Sequence, residues 1–136
     1  VSSREIKHCH PDLQPKLIRW LDLATHAHLS PLITCTYRPQ AEQDALYAQG
    51  RTAPGKIVTW TKHSNHSFTI KGGVPAALAF DFVPLISGKP VWNSKDPSWL
   101  KLAEIAESLS LQWGGRWVKG RDMPHIELKD ARAYWG

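Results

Sequence analysis

The chain is poor in the features that mark several large classes of protein. No apolar run approaches the roughly 20 residues that span a bilayer. Its two cysteines, Cys9 and Cys35, allow at most one disulfide, which excludes a disulfide-stapled scaffold. They also lack the paired spacing of a thiolate zinc site, and two buried free thiols are the expectation. Basic residues are scattered from Arg4 to Arg132 and never gather into a dense run, so a dedicated nucleic-acid groove is not signalled. Glycine-rich phosphate loops, internal repeats and low-complexity tracts are all missing. The first residues mix Arg4, Glu5, Lys7, His8 and His10 with no hydrophobic stretch, so no secretory leader is expected.

What is present describes one compact domain over residues 1–136. Apolar residues make up 42% and charged residues 21%, ordinary globular usage that argues against wholesale disorder. Seventeen Lys and Arg against twelve Asp and Glu give a net charge of +5, a modest excess that suits an anionic partner, whether nucleic acid, lipid headgroups or the acidic polymers of a bacterial wall.

The periodicity predicts a helix from about Pro11 to His28, with Leu13, Leu17, Ile18, Leu21, Ala24, Ala27 and His28 on the inner face. Prolines at 11 and 15 sit in its first turn, where a missing amide costs least. The β-branched run Pro31–Tyr37 reads as a strand, with Arg38 projecting from its end. Gln40–Gln49 reads as a second helix with Ala41, Ala45, Leu46 and Ala48 inward. Residues 51–62 are irregular, and Thr69–Pro75, with Gly72 and Gly73, reads as an inserted loop. Leu78–Val83 is a buried strand. Asp96 and Pro97 open a third helix to Ser108 that turns Trp99, Leu102, Ala103 and Ala106 inward. Trp113-Gly114-Gly115 is a tight turn, and Pro124–Leu128 is a final strand. Helices and short strands in this order imply an α+β fold.

Seven histidines are present, and they are not equivalent. His8, His10, His26 and His28 belong to the first helix or its approach and fit structural roles. The chemistry concentrates in His66, Asp81, Asp122 and His125. Asp81 is the anomaly, a carboxylate inside Ala79-Phe80-Asp81-Phe82-Val83, where burial demands a cation or several donors. Two imidazoles and one carboxylate form a usual catalytic-zinc set, with the fourth position open. On a strand, His125 and Glu127 share a face while Ile126 points to the core. Either Asp122 or Glu127 then serves as proton acceptor. A Ser64/His66/Asp81 hydrolytic triad is the rival constellation, without the glycine pattern of a nucleophile elbow.

A series of short segments then follows in order: Tyr37-Arg38, Glu42-Gln43, Leu46 through Thr52, Pro54-Gly55, Ile57-Val58-Thr59, Ser64-Asn65-His66, Ala79-Phe80-Asp81, Trp113-Gly114-Gly115 and Asp122-Met123-Pro124-His125. Over about residues 10–128 this series resembles the L-alanyl-D-glutamate endopeptidases of phage endolysins and wall-recycling enzymes, relatives of the VanY-type D-alanyl-D-alanine carboxypeptidases. The resemblance implies a small antiparallel sheet packed with about three helices, a hedgehog/DD-peptidase-like fold with a zinc site at one end. It implies one zinc held by His66, Asp81 and His125, with Asp122 as the base and Arg38 near the substrate or developing oxyanion. Glu127 then becomes an outer partner or a substrate contact, and Ser64 a substrate contact. Trp60, Trp113 and Trp117 lie in segments that approach the site, and indole faces there suit a peptide or sugar.

The implied substrate is the peptidoglycan stem peptide, cut between L-alanine and D-glutamate by a monomer. The implied setting is the host cytoplasm until lysis and then the periplasm and wall, with no nucleic-acid partner and no separate wall-binding domain. The alternatives are a D-alanyl-D-alanine carboxypeptidase using the same site, or a non-catalytic wall-binding module. The sequence departs from the family's compact motif in that fourteen residues separate His66 from Asp81, an insertion expected to lengthen the loop over the site.

Overall fold

The computed structural model describes residues 1–136. Helix α1 (Gln14–His26) leads into strand β1 (Ser30–Cys35) and helix α2 (Gln40–Ala48). An irregular stretch and a 3-10 turn (Asn65–Ser67) precede a small hairpin of β2 (Thr69–Ile70) and β3 (Val74–Pro75). Strands β4 (Ala79–Ile86) and β5 (Lys89–Pro90), helix α3 (Pro97–Ser108), and strands β6 (Leu111–Trp113) and β7 (His125–Leu128) complete the set. Three helices against a small antiparallel sheet is the α+β architecture the sequence implied.

The main sheet runs β1-β4-β7-β6, with β5 folding back on the far end of β4. Strand alternation along β4 divides its residues between two faces. Phe80 and Phe82 enter the core, whereas Asp81 turns to the other face. Trp20 of α1 is the hub of the core. Its ring lies 5.1 Å from Phe80 and 5.2 Å from Phe82, and Phe82 in turn lies 5.1 Å from Trp99. The Trp20 indole N–H donates to the Leu102 carbonyl at 2.9 Å, tying α1 to α3 with the one polar atom the side chain must satisfy. Asp96 caps α3 as expected, accepting from the Ser98 amide at 2.9 Å.

Several local expectations are corrected. The buried stripe of α1 is Leu13, Leu17, Trp20 and Ala24; Ile18 is exposed, and Ala27 and His28 lie outside at the helix end. The large indole at position 20 sets the rotation of the helix, because burying it removes more apolar area than burying Ile18. In α2, Ala41 and Ala45 face solvent and the fully buried side chain is Gln43, held by hydrogen bonds that periodicity does not register. β4 continues through Pro84 to Ile86, because there its partners are β1 and β5 and the missing amide breaks no central ladder. The short strand β6 carries no alternation long enough to mark it in the sequence and forms by pairing with β7.

The stretch 69–75 is a hairpin with Gly72 and Gly73 at positive φ. Its feet are zipped: the Ala76 amide donates to Phe68 O at 3.0 Å and the Leu78 amide to Asn65 O at 2.8 Å. The insertion thus returns the chain to where it left, and none of its residues lines the cleft described next.

Candidate active site

The register of the sheet assembles the site. Asp81 pairs with His125 of β7 on one side and with Cys35 of β1 on the other. Cross-strand partners on one face bring their side chains together. His66 comes from the 3-10 turn, which is locked in place by three contacts. Ser64 Oγ accepts from the His66 amide at 3.1 Å, the Arg38 amide donates to His66 O at 2.9 Å, and Leu78 bonds back to Asn65. His66 and His125 are both buried, their rings edge to face with centroids 5.1 Å apart.

Both imidazoles meet the same oxygen. Asp81 Oδ1 lies 3.1 Å from His66 Nε2 and 3.4 Å from His125 Nδ1. The other nitrogen of each ring is committed elsewhere. His66 Nδ1 is 2.8 Å from the Thr36 carbonyl, and His125 Nε2 is 2.7 Å from Glu127 Oε1. Both of those partners are acceptors, so each ring donates outward and turns its lone pair toward Asp81. Three acceptors converging on one point repel unless a cation stands among them. A proton is the simplest cation. Burial works against a charged imidazole, yet the Asp81 carboxylate overrides it and pushes His66 up to about 10. His125 is also raised, against its burial, by hydrogen bonds to Asp81 and Glu127. Asp81 itself, despite burial, is held far below the carboxylate range by the two imidazoles.

A divalent ion fits the same place. Bonds of about 2.0–2.2 Å in tetrahedral array separate donor atoms by about 3.3–3.6 Å, and the distance from Asp81 Oδ1 to each ring nitrogen is close to that spacing. The outward hydrogen bonds are the carbonyl and carboxylate partners that orient ligating histidines. Two overlapping groups, Cys35, His66 and Asp81 and then Asp81, Asp122 and His125, each bring their ligand atoms within 4.8 Å of one another, with Asp81 common to both. Cys35 Sγ, however, meets His66 at Nδ1, 3.7 Å away, the nitrogen already donating to Thr36. The thiol therefore backs the imidazole. Both cysteines are free and buried, and burial, with Cys35 nearby, pushes the Cys9 thiol up to about 12.

Asp122 stands beside this centre with Oδ2 3.9 Å from His125 Nδ1. Its side chain keeps 46% of its exposure, and partial burial, with the Asp81 carboxylate nearby, pushes its pKa above the ordinary value against the pull of His125. Gly114 makes that position possible, because a Cβ there would collide with the Asp122 carbonyl. The Asp122 amide donates to Gly114 O at 3.0 Å. A cleft of about 660 Å³ opens over the centre, walled by Val58–Ser64 on one part of its rim and Trp117–Asp122 on another.

The D-alanyl-D-alanine carboxypeptidase family of peptidases matches residues 58–128, a span containing His66, Asp81, Asp122, His125 and both cleft walls. The chain belongs to this family. The peptidoglycan L-alanyl-D-glutamate endopeptidase CwlK of Bacillus subtilis (strain 168) is 32% identical to it over 129 residues, covering 88% of this chain and 72% of that protein. The crystal structure of the Serratia marcescens L-Ala D-Glu endopeptidase ChiX matches 100% of this chain and 93% of its own, with a TM-score of 0.68 and 21% identity, a likeness of fold.

In this carboxypeptidase-family fold the residues singled out from sequence do not all gather at the site. His66, Asp81, His125, Asp122, Arg38, Ser64, Trp117 and Glu127 line one cleft. Trp117 lies with its ring 5.2 Å from that of His125, and exposed Trp60 stands on the opposite rim. Trp113 does not reach the cleft. It is a core residue, 6% exposed, with its indole N–H donating to Met123 O at 2.7 Å. Strand alternation turns it inward with Leu111, on the side of Ile126. The Ser64 hydroxyl accepts from the backbone amide of His66, and the ring nitrogens of His66 meet Thr36 O and Asp81 instead, so the Ser64/His66/Asp81 triad is not formed.

Sequence reasoning missed the part played by Gln43. Its Oε1 accepts from Arg38 at 3.0 Å, and its Nε2 donates to Thr61 O at 2.7 Å. It thus braces the cleft arginine against the cleft wall. A polar residue on the inward phase of a helix was the available signal.

Proposed function

We propose that the chain is a zinc-dependent endopeptidase that cuts peptidoglycan stem peptides between L-alanine and D-glutamate. One observation carries the zinc reading: two imidazoles with their hydrogens tied back, and one carboxylate, turn three acceptors onto a single point. The bond specificity is supported by the 32% identity to CwlK, whose name states that cleavage. His66, Asp81 and His125 would hold the zinc, which would supply Lewis acidity to the scissile carbonyl and to the attacking water.

The remaining chemistry belongs to the chain. Asp122 is placed to take the proton of the attacking water and return it to the leaving amine. Its carboxyl, pushed above the ordinary carboxylate value by burial, is a better proton acceptor than a free aspartate. Arg38 projects into the cleft with its guanidinium held by Gln43, where it orients a substrate carboxylate or carbonyl oxygen. Lys119 and Arg121 add positive charge to one wall, which suits a stem peptide rich in carboxylates. Glu127 is occupied with His125 and Asn65 and serves the metal site as its outer partner.

Cleavage inside a chain needs room on both sides of the broken bond, and the cleft has two continuations. Trp117 and Arg121 are shared with a depression bounded by Leu100, Arg116 and Val118; His63, Asn65 and Glu127 are shared with one bounded by Arg132 and Trp135. That favours an endopeptidase over a carboxypeptidase on the same centre. We further assign the activity to a phage-type lysin acting as a monomer on the wall. The sequence resemblance and the net charge of +5 support that setting.

The test is digestion of purified peptidoglycan followed by identification of new termini, with and without a chelator. New N-terminal D-glutamyl groups that vanish on chelation and return with zinc are expected. Release of free D-alanine alone would make the enzyme a carboxypeptidase, and activity untouched by chelation would remove the metal from the reaction.

A further inference from the structure

The outer hydrogen bond of His125 does not end at Glu127. Asn65 Nδ2 donates to the same Glu127 Oε1, at 3.1 Å, that receives His125 Nε2 at 2.7 Å. Asn65 Oδ1 in turn accepts from the indole N–H of Trp135 at 2.9 Å. Two links run in one sense, from indole to amide to carboxylate, and meet there the bond that His125 donates from the other side; together they join the 3-10 segment Ala131–Trp135 to a residue of the reaction centre.

The segment carrying Trp135 is docked deliberately. Asp130, at φ 58°, turns the chain out of β7. The Tyr134 hydroxyl then donates to Asp12 Oδ2 at 2.6 Å, with its ring 4.9 Å from that of His10. The Trp135 ring stands edge-on to Phe68 at 5.0 Å, on the residue that follows the His66 turn. Both anchors lie far away in sequence, and together they aim the indole N–H at Asn65.

We propose that Trp135 and Asn65 are positioning residues for His125, acting through Glu127 to hold it as a ligand. The inference rests on the metal reading of the site given above. Two donors on Glu127 Oε1 keep that oxygen over His125 Nε2. The ring then carries its hydrogen on Nε2 and presents the Nδ1 lone pair toward Asp81, as ligation requires. The indole fixes the amide of Asn65 with its NH2 group toward Glu127. Without it the amide is free to turn over and present oxygen to a carboxylate.

The experiment measures zinc affinity of the full chain by competition with a chromogenic chelator, for wild type, Trp135→Phe, Asn65→Leu and the double variant. Trp135→Phe keeps the ring against Phe68 and removes only the donor. Loss of an outer partner weakens zinc binding by about 10-fold for Asn65→Leu and about 3-fold for Trp135→Phe. The double variant matches Asn65→Leu alone, because the indole acts only through the amide. A merely structural role would lower the melting temperature of the variants and leave their zinc affinity equal to wild type, which overturns the proposal. Additive losses in the double variant would overturn the relay. Failure of the wild-type protein itself to bind zinc would instead overturn the metal reading, and the relay with it.

Discussion

Gln43 offers a sharp perturbation because it is buried, polar and makes no hydrogen bond with His66, Asp81 or His125. Replacing it by Leu keeps nearly the same volume but removes the acceptor for Arg38 and the donor to Thr61 O. A hydrogen bond to a charged group contributes about 1.5–3 kcal/mol. If that bond serves to hold the guanidinium in its catalytic pose, its loss lowers kcat/KM by about 10- to 150-fold, at about 1.36 kcal/mol per decade. Stability should change much less. Arg38 is half-buried and Thr61 is exposed, so water replaces the lost partners of both. Gln43→Glu separates the two connections. It keeps an acceptor for Arg38 but sets a carboxylate against the Thr61 carbonyl, so the arginine stays posed while the cleft wall comes loose. The assay is initial-rate kinetics on soluble muropeptides, run beside thermal melts. A folded Gln43→Leu variant whose kcat/KM stays within about twofold of wild type would refute the brace, since only about 0.4 kcal/mol would then pass through it.

Other consequences are equally direct. Asp122→Asn should slow wall digestion by about 10²- to 10⁴-fold, the usual worth of a general base, while equilibrium dialysis still finds one zinc per chain. Loss of the metal in that variant would make Asp122 a ligand instead. Trp20→Ala empties the hub between Phe80, Phe82 and Leu102 and should cost about 3–5 kcal/mol in chemical denaturation. Asp96→Ala should lower the melting temperature at neutral pH, in a pH-dependent way. The hydrogen bonds from Ser98 depress the Asp96 pKa in the folded state, so its cap is fully stabilising above the unfolded carboxylate value. The gap between wild type and variant in a pH series of melts should therefore close as pH falls through the lower folded value. A gap that persists in acid would show that the carboxylate charge is not what caps α3.

Much of the architecture was legible because it depends on near neighbours along the chain. The cap and proline at Asp96-Pro97 and the period of α3 each act within a turn or two, and each lies where expected. The oddity of Asp81 was equally readable, since a carboxylate among Phe80, Phe82 and Val83 signals a charge that must be met. The rotation of α1 was less so. Ile18 and Trp20 compete for the core on nearly equal terms in a periodicity count, and what decides is the space left between Phe80, Phe82 and Leu102.

The residues of the candidate site could be proposed from their order in the chain and the family they resemble, but their meeting could not. That Asp81 faces His125 is a matter of strand register, and a slip of one residue would have turned one of them into the core. That the fourteen residues after His66 do no harm depends on a hairpin closing on itself at Phe68 and Ala76. Gln43, Asn65 and Trp135 acquire their roles from partners 5, 62 and 70 positions away. Local pattern carries helix, cap and turn because those interactions span a few residues; hydrogen-bond partners across a sheet or between loops are chosen by the folded chain, and only there does the site exist.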